Sequence, residues 1–294
     1  MTNWYDADGH LSEDTVADFR QTLLAWYDEC GRTHLPWRID KEPYHIWVSE
    51  IMLQQTQVET VIPYYERFLS ELPTVKDLAE ADEEVLLKLW SGLGYYSRVR
   101  NMQKAARQVM ADFDGQLPST SQSLQSLAGI GPYTAAAIAS ISFNEVVPAL
   151  DGNMFRVFAR LLKIEADIAQ PKSRKTFYDI ILPIVDPERP GDFNQAVMDL
   201  GTSLMSTKTE TLSDSPFARF NLSYQEGVEL TFPIKSKKVK QVQKFYAAII
   251  SENDGSLAYT QRPKTGLLAN FWTYPLVEFD SWDAIYDGVS EHFE

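Results

Sequence analysis

A mainly α fold over residues 1–225, followed by the beginning of an α/β domain over 226–294, is predicted by three features of the sequence. Apolar residues recur at helical spacing between capping and breaking residues through the first part of the chain. Near residue 226 the pattern changes to the β-rich runs VELTFPI, FYAAIIS and SLAYTQR, separated by Gly, Asn, Asp and the basic stretch Lys235–Lys240. No stretch reaches the ~18–20 apolar residues that a membrane helix needs, so the 44% of hydrophobic residues is available for a core.

Each helix has its own local signal. Ser12 is placed to cap a helix whose apolar face is Val16, Phe19, Leu23 and Trp26 and which stops at Gly31. Pro43 suits the first turn of a helix running through Ile46, Val48, Ile51 and Met52. A further apolar stripe lies at Val61, Tyr65 and Phe68, and another helix spans 83–90, ending at Ser91-Gly92. Arg98–Phe113 reads as a long basic amphipathic helix. Two short helices around 122–142 are joined by Gly129-Ile130-Gly131-Pro132, and more follow near 153–164, 173–185 and 192–206. The tail after 226 is too short to close a typical sheet-and-helix domain and reads as a partial, truncated one.

Composition narrows the function classes. The net charge of −14 counts against phosphate binding taken alone. The field that matters is local, however: acidic residues crowd 6–14, 77–84 and 278–294, whereas Arg98, Arg100, Lys104 and Arg107 gather on one segment. The acidic N-terminus lacks the character of a secretory signal, so a cytoplasmic protein without a membrane role is expected. Cys30 is the sole cysteine and the end of an amphipathic helix should half-bury it; neither a disulfide nor a thiolate cluster can be built from it.

Three local features carry chemistry. Leu127–Thr134 places two glycines before a helix start, where free N–H groups suit a phosphate; an ordinary helix–helix turn is the alternative. Glu50 sits in the apolar segment WVSEIMLQQTQV, where desolvation would raise its pKa and favour the protonated acid, unless it lies on the helix surface. Asp151 begins DGNMFRVFARLL, where it can be a plain N-cap held ionised by N–H donors and the helix dipole. One raised acid beside one ionised carboxylate is the pairing that cleaves a glycosidic bond through an oxocarbenium-like state.

Six blocks then occur in an order that resembles the MutY-type adenine DNA glycosylases of the helix-hairpin-helix superfamily. They are LPWR (35–38), WVSEIMLQQTQVETVIPYYERF (47–68), GLGYYSRVRN (92–101), LAGIGPYTAAAIAS (127–140), LDGNMFRV (150–157) and FNQAVMDLG (193–201). The similarity runs over roughly 20–205, and six ordered blocks are far more specific than one short motif. YTQRPKTGLLANFWTYPLVE resembles the Nudix-like domain that follows in the same family. The resemblance implies two lobes, one about 31–142 and the other 1–30 plus 143–225. It implies a monomer acting on double-stranded DNA with an A:8-oxoguanine or A:G mismatch.

The resemblance also implies roles. Glu50 would protonate adenine at N7, and Asp151 would stabilise the positive sugar, with Tyr133 and Asn153 supporting the pair. Leu35, Trp37, Arg38, Val58 and Gln195 match the pocket for an extruded adenine, although several relatives carry Glu in place of Gln195. Gln54, Gln55, Thr56, Leu93, Tyr95 and Tyr96 match segments that meet the duplex, Gln55, Leu93 and Tyr95 as wedges; plain core packing is the alternative for Leu93. Gly129, Gly131 and Thr134 would form the phosphate-binding hairpin, which could also hold a cation through its carbonyls.

Three departures stand out. Most relatives hold a [4Fe–4S] cluster through four Cys just after the LG of the last block, whereas this chain has Met205 at the first of those positions and no Cys in TSLMSTKTETLSDSPFARFNLSYQEG; no cluster and no metal are expected, with Leu212, Phe217, Phe220 and Leu222 packing instead. Strand-cutting relatives such as endonuclease III carry a Lys where Tyr133 stands, so a monofunctional glycosylase is expected. The Phe-Ser-His loop that helps the family to tell 8-oxoguanine from guanine does not occur in the tail. Competing readings are an endonuclease III-like or thymine-mismatch glycosylase, a Nudix-type hydrolase, which the tail's lack of an R-E-x-x-E-E pattern disfavours, and a non-catalytic DNA-binding module.

Overall fold

Residues 4–6, 8–207, 214–236, 243–265 and 268–285 are described by a computed structural model of the chain. Two compact units divide it, 1–236 and 237–294.

The first unit is helical. Helix α1 (Glu13–Cys30) is capped by Ser12, whose Oγ accepts from the Thr15 N–H at 3.3 Å. A 3₁₀ turn follows at Pro36–Arg38. Helix α2 (Pro43–Met52) starts with proline at N1, and the Glu42 carboxylate accepts from the N–H groups of Tyr44 and His45 at 2.7 and 3.0 Å. Then come α3 (Val58–Glu71), α4 (Val75–Glu80), α5 (Glu83–Trp90), α6 (Ser97–Asp112), α7 (Ser121–Leu124) and α8 (Pro132–Phe143). The unit continues with α9 (Gly152–Leu162), α10 (Ser173–Ile181), α11 (Pro190–Thr202) and α12 (Leu222–Gln225).

Two cores divide these helices. One gathers buried residues from Leu35 to Ala149, among them Trp47, Phe68 and Trp90. The other joins α1 to 150–232, with Phe19 met edge-on by Trp4 at 5.1 Å and by Phe220 at 5.4 Å. Helix α11 packs on α1 and α9 from the second core and on α8 from the first, so it forms the seam between them.

Four differences from the sequence reading have local causes. Helix α4, absent from that reading, is nucleated by a reciprocal capping box between Thr74 and Asp77. Helix α11 ends at Thr202, not near 206, and Met205 folds back so that its N–H donates to Leu200 O at 2.9 Å. The run VELTFPI forms a 3₁₀ turn at Glu229–Thr231, not a strand: Glu229 faces the buried Arg160 guanidinium at 3.6 Å, and Phe232 enters the second core. Cys30 is exposed, not half-buried.

Met205, Phe217 and Phe220 are fully buried and Leu222 packs against them, while Leu212 lies outside the described residues. Arg160, 2% exposed, ties this stretch down by donating to Met205 O, Ser206 O and Phe232 O. A planar group with several N–H donors in a fixed fork suits such a cross-link.

In the second unit the described residues form three antiparallel pairs: β1 (Phe245–Ala248) with β6 (Leu276–Phe279), β2 (Glu252–Asn253) with β3 (Ser256–Leu257), and β4 (Thr260–Gln261) with β5 (Trp272–Thr273). A helical turn occupies 282–285. Among the described residues no helix is long and apolar enough to cross a membrane.

Candidate active site

A cavity of about 260 Å³ opens at the seam between the two cores. Its walls come from residues 32–38 around the 3₁₀ turn, from α2 with the turn after it and the first residue of α3, from both ends of α8, from the start of α9, and from α11.

Glu50 reaches the cavity from the last turns of α2, with Ile51 and Met52 beside it in the core. Only 8% of its surface is exposed. Burial pushes its carboxyl up to about 7. A contact with the Tyr133 hydroxyl and the positive charge of Arg38 hold that shift back, while the negative charge of Asp151 adds to it.

Asp151 is the N-cap of α9. Its Oδ1 accepts from the Met154 N–H at 2.7 Å and its Oδ2 from the Asn153 side-chain amide at 2.7 Å. Its carboxyl is also pushed up by burial, while the Met154 and Asn153 donors and Arg156 oppose the shift. The two carboxyls therefore differ in their donors: an N-cap network holds Asp151 toward the anion, whereas Glu50 has a phenol.

Asn153 is itself fixed. Its Oδ1 accepts from Arg156 at 2.7 Å, and Arg156 also donates to Gly201 O at 2.6 Å and Met205 O at 2.9 Å. A Cβ on Gly201 would stand 2.8 Å from the Asn153 Cβ, so glycine there lets α11 approach this side chain closely. Tyr133 follows Pro132 at the start of α8, and its hydroxyl lies 3.8 Å from the Met198 sulfur.

Leu35, Trp37, Arg38, Val58 and Gln195 all line the same cavity, as does Thr56. Arg38, with its side chain 6% exposed, donates to both oxygens of Asp199, at 2.6 and 3.1 Å. Arg32 shares that carboxylate through its backbone N–H at 2.9 Å and Nε at 2.8 Å. Burial pushes Asp199 up, but the two arginines outweigh it and hold the carboxyl below its ordinary value.

The remaining residues singled out lie outside the cavity. Gln55 and Tyr95 are exposed with left-handed φ of 61° and 48°. Gln54 and Tyr96 are half-buried. Leu93 and Thr134 are interior, at 6% and 3% exposure. Gly129 has φ 78°, and a Cβ there would stand 2.7 Å from the Asn101 Cβ; Gly131, by contrast, has an ordinary φ and open space around it, as the exposed N-cap of α8. Glycine is thus required at the first position of the pair only.

Arg32, Ile46, Ser49, Leu53, Ile141, Met198 and Thr202 also line the cavity and were not singled out from the sequence. Asp199, behind the wall, was missed as well. Its signal was available: Gln195 and Asp199 are four apart on α11 and share a face. Among the described residues no group of three or more His, Cys, Asp or Glu could hold a metal.

Comparison with known proteins matches residues 48–182 to the HhH-GPD superfamily of base excision DNA repair proteins. The adenine DNA glycosylase of Rattus norvegicus is 36% identical over 326 residues, covering 92% of this chain and 63% of that protein. The adenine DNA glycosylase of Buchnera aphidicola subsp. Acyrthosiphon pisum is 34% identical over 268 residues, covering 91% of this chain and 73% of its own length. Among solved structures, a thermostable thymine-DNA glycosylase matches the fold with a TM-score of 0.64 at 22% identity, over 72% of this chain and 97% of that one.

Proposed function

This chain belongs to the adenine DNA glycosylase family, within the HhH-GPD superfamily of base excision DNA repair proteins, and on that premise we propose that it hydrolyses the N-glycosidic bond of adenine mispaired with 8-oxoguanine or guanine in double-stranded DNA. The chain spans about 63% of the length of the rat relative. The observation that carries the reading is one cavity holding a carboxyl with a pKa of about 7 and a hydrogen-bonded carboxylate at a helix N-terminus.

In this reading the adenine leaves the stack and enters the cavity against Trp37, Arg38, Val58 and Gln195. Glu50 gives its proton to N7, and the C1′–N9 electron pair departs with the neutral base. Asp151 faces the positive sugar that remains, fixed by Met154 and Asn153. Water then adds to C1′, directly or by displacing a transiently bonded Asp151 oxygen, and its proton passes to the Glu50 carboxylate left by the first step.

Tyr133 stands where the strand-cutting relatives place a lysine, and a phenol cannot form a Schiff base with C1′. The enzyme is therefore expected to leave an intact abasic strand. With the adenine strand of an A:8-oxoguanine duplex labelled, breaks should appear only after hot alkali, and a T:G duplex should stay uncut. Nicking on every turnover without alkali, or preference for T:G, would point to the endonuclease III-like or thymine-mismatch reading instead.

The [4Fe–4S] cluster of most relatives does not fit this chain. It needs four thiolates, and Cys30 at the end of α1 is the sole cysteine. Aromatic packing by Phe217 and Phe220, together with the Arg160 donors, holds the corresponding stretch. Purified protein should contain no stoichiometric iron by elemental analysis; about four irons per chain would overturn this.

A further inference from the structure

Arg98, near the start of α6, holds two loops at once. Its Nη1 donates to Ile51 O at 2.9 Å, Met52 O at 3.1 Å and Gln54 O; its Nη2 donates to Leu93 O at 3.0 Å and Gly94 O at 3.2 Å. The guanidinium also lies 5.4 Å from the Trp90 ring centre and 5.7 Å from that of Tyr95. Among the described residues no carboxylate pairs with it, and its buried Nε finds no acceptor.

Both loops bear conformations that need outside support. The turn after α2 puts Leu53 and Thr56 on the wall of the candidate active site and turns Gln55 outward with φ 61°. The loop after α5 presents Tyr95, 64% exposed, with φ 48°, between Gly94 and the start of α6. Left-handed backbone is disfavoured for Gln and Tyr, so each loop keeps its shape only where something over-determines it. Five hydrogen bonds from one rigid fork do so and fix the spacing between the two loops. A lysine ammonium on a flexible stem cannot reach both sets of carbonyls together.

We propose that Arg98 is a positioning residue for adenine extrusion: it locks the Gln55 and Tyr95 loops, at the cavity rim and beside it, into one rigid surface that presses on the duplex while the base turns out. The proposal rests on the glycosylase reading above. It assigns Arg98 no contact with the base or the sugar.

Arg98→Lys tests it with two duplexes in single-turnover assays. In one the adenine is paired with 8-oxoguanine; in the other it faces a tetrahydrofuran abasic analogue and has no partner to leave. Release from the paired duplex should fall by about tenfold to a hundredfold, and release from the unpaired one by roughly threefold or less. The pH profile set by Glu50 should not move. Amide hydrogen exchange should speed up at 53–57 and 91–96 and nowhere else in the helical unit. Equal losses on both duplexes, or unchanged exchange in the two loops, overturns the proposal. If Arg98→Lys does not fold, Arg98→Gln is measured in the same way. Wild-type protein that releases no adenine from either duplex overturns the glycosylase reading and with it the role in extrusion, and exchange in the two loops still decides whether Arg98 holds them.

Discussion

Glu50→Gln is expected to slow adenine release by about 10²–10⁴-fold, the range a positioned general acid contributes, while leaving duplex affinity within about threefold. The substitution keeps the shape of the side chain and removes the proton. Wild-type single-turnover rates should hold up to about pH 7 and fall above it, because only the protonated acid can donate. The variant should lose that limb.

The same proton couples to stability. The carboxyl stands at about 7 in the folded protein against an ordinary 4.5, so the folded state binds this proton more tightly than the unfolded chain. Its contribution to stability is full below 4.5 and is lost as pH rises toward 7. By 1.36 kcal/mol per unit the loss amounts to roughly 3 kcal/mol. Glu50→Gln removes that penalty. At about pH 8 the variant should therefore melt about 6–12 °C above wild type, and the gap should close near pH 4.5. Melting curves at the two pH values check this; a variant with wild-type turnover would remove Glu50 from the mechanism.

Asp199→Asn carries the second large effect. Asp199 is 3% exposed and neutralises Arg38, whose side chain is 6% exposed. Removing one partner of a buried pair costs about 3–5 kcal/mol. Arg32 adds little, since its side chain is 36% exposed and screened by water. For a unit of this size the loss is a melting decrease of about 6–20 °C. A second consequence is electrostatic. Arg38 already lowers the Glu50 pKa; without the Asp199 charge beside it, that pull strengthens. The alkaline limb of the rate profile should shift to lower pH, which a loss of packing alone would not produce. A profile that stays in place while the protein is merely less stable would separate Asp199 from the acid's tuning.

Much of the molecule could be read locally. Ser12 and Asp151 cap their helices as their side-chain chemistry dictates, and Pro43 and Pro132 sit at first turns, where a missing N–H costs nothing. The cavity lining was legible only through six ordered motifs. Periodicity alone favoured a solvent-facing Glu50, and nothing local says that Arg38 lies against Asp199, 161 residues away. VELTFPI was misread because its β-rich composition is satisfied by burial of Phe232 and by the Glu229–Arg160 contact, without a partner strand.

The sequence by itself determined most of the helices of the first unit, α4 and α12 excepted, the identity of the two carboxyl groups and the shortage of thiolates, because caps, apolar periodicity and residue chemistry act within a few residues of one another. Tertiary structure alone decided that the Glu50 carboxyl is pushed up to about 7, that Asp151 is half-buried yet supplied with donors, and that Leu93 and Thr134 are interior. Each of these depends on desolvation and on charges brought in by distant elements, α8, α9 and α11 above all, and no short stretch of chain encodes how much water its neighbours will exclude.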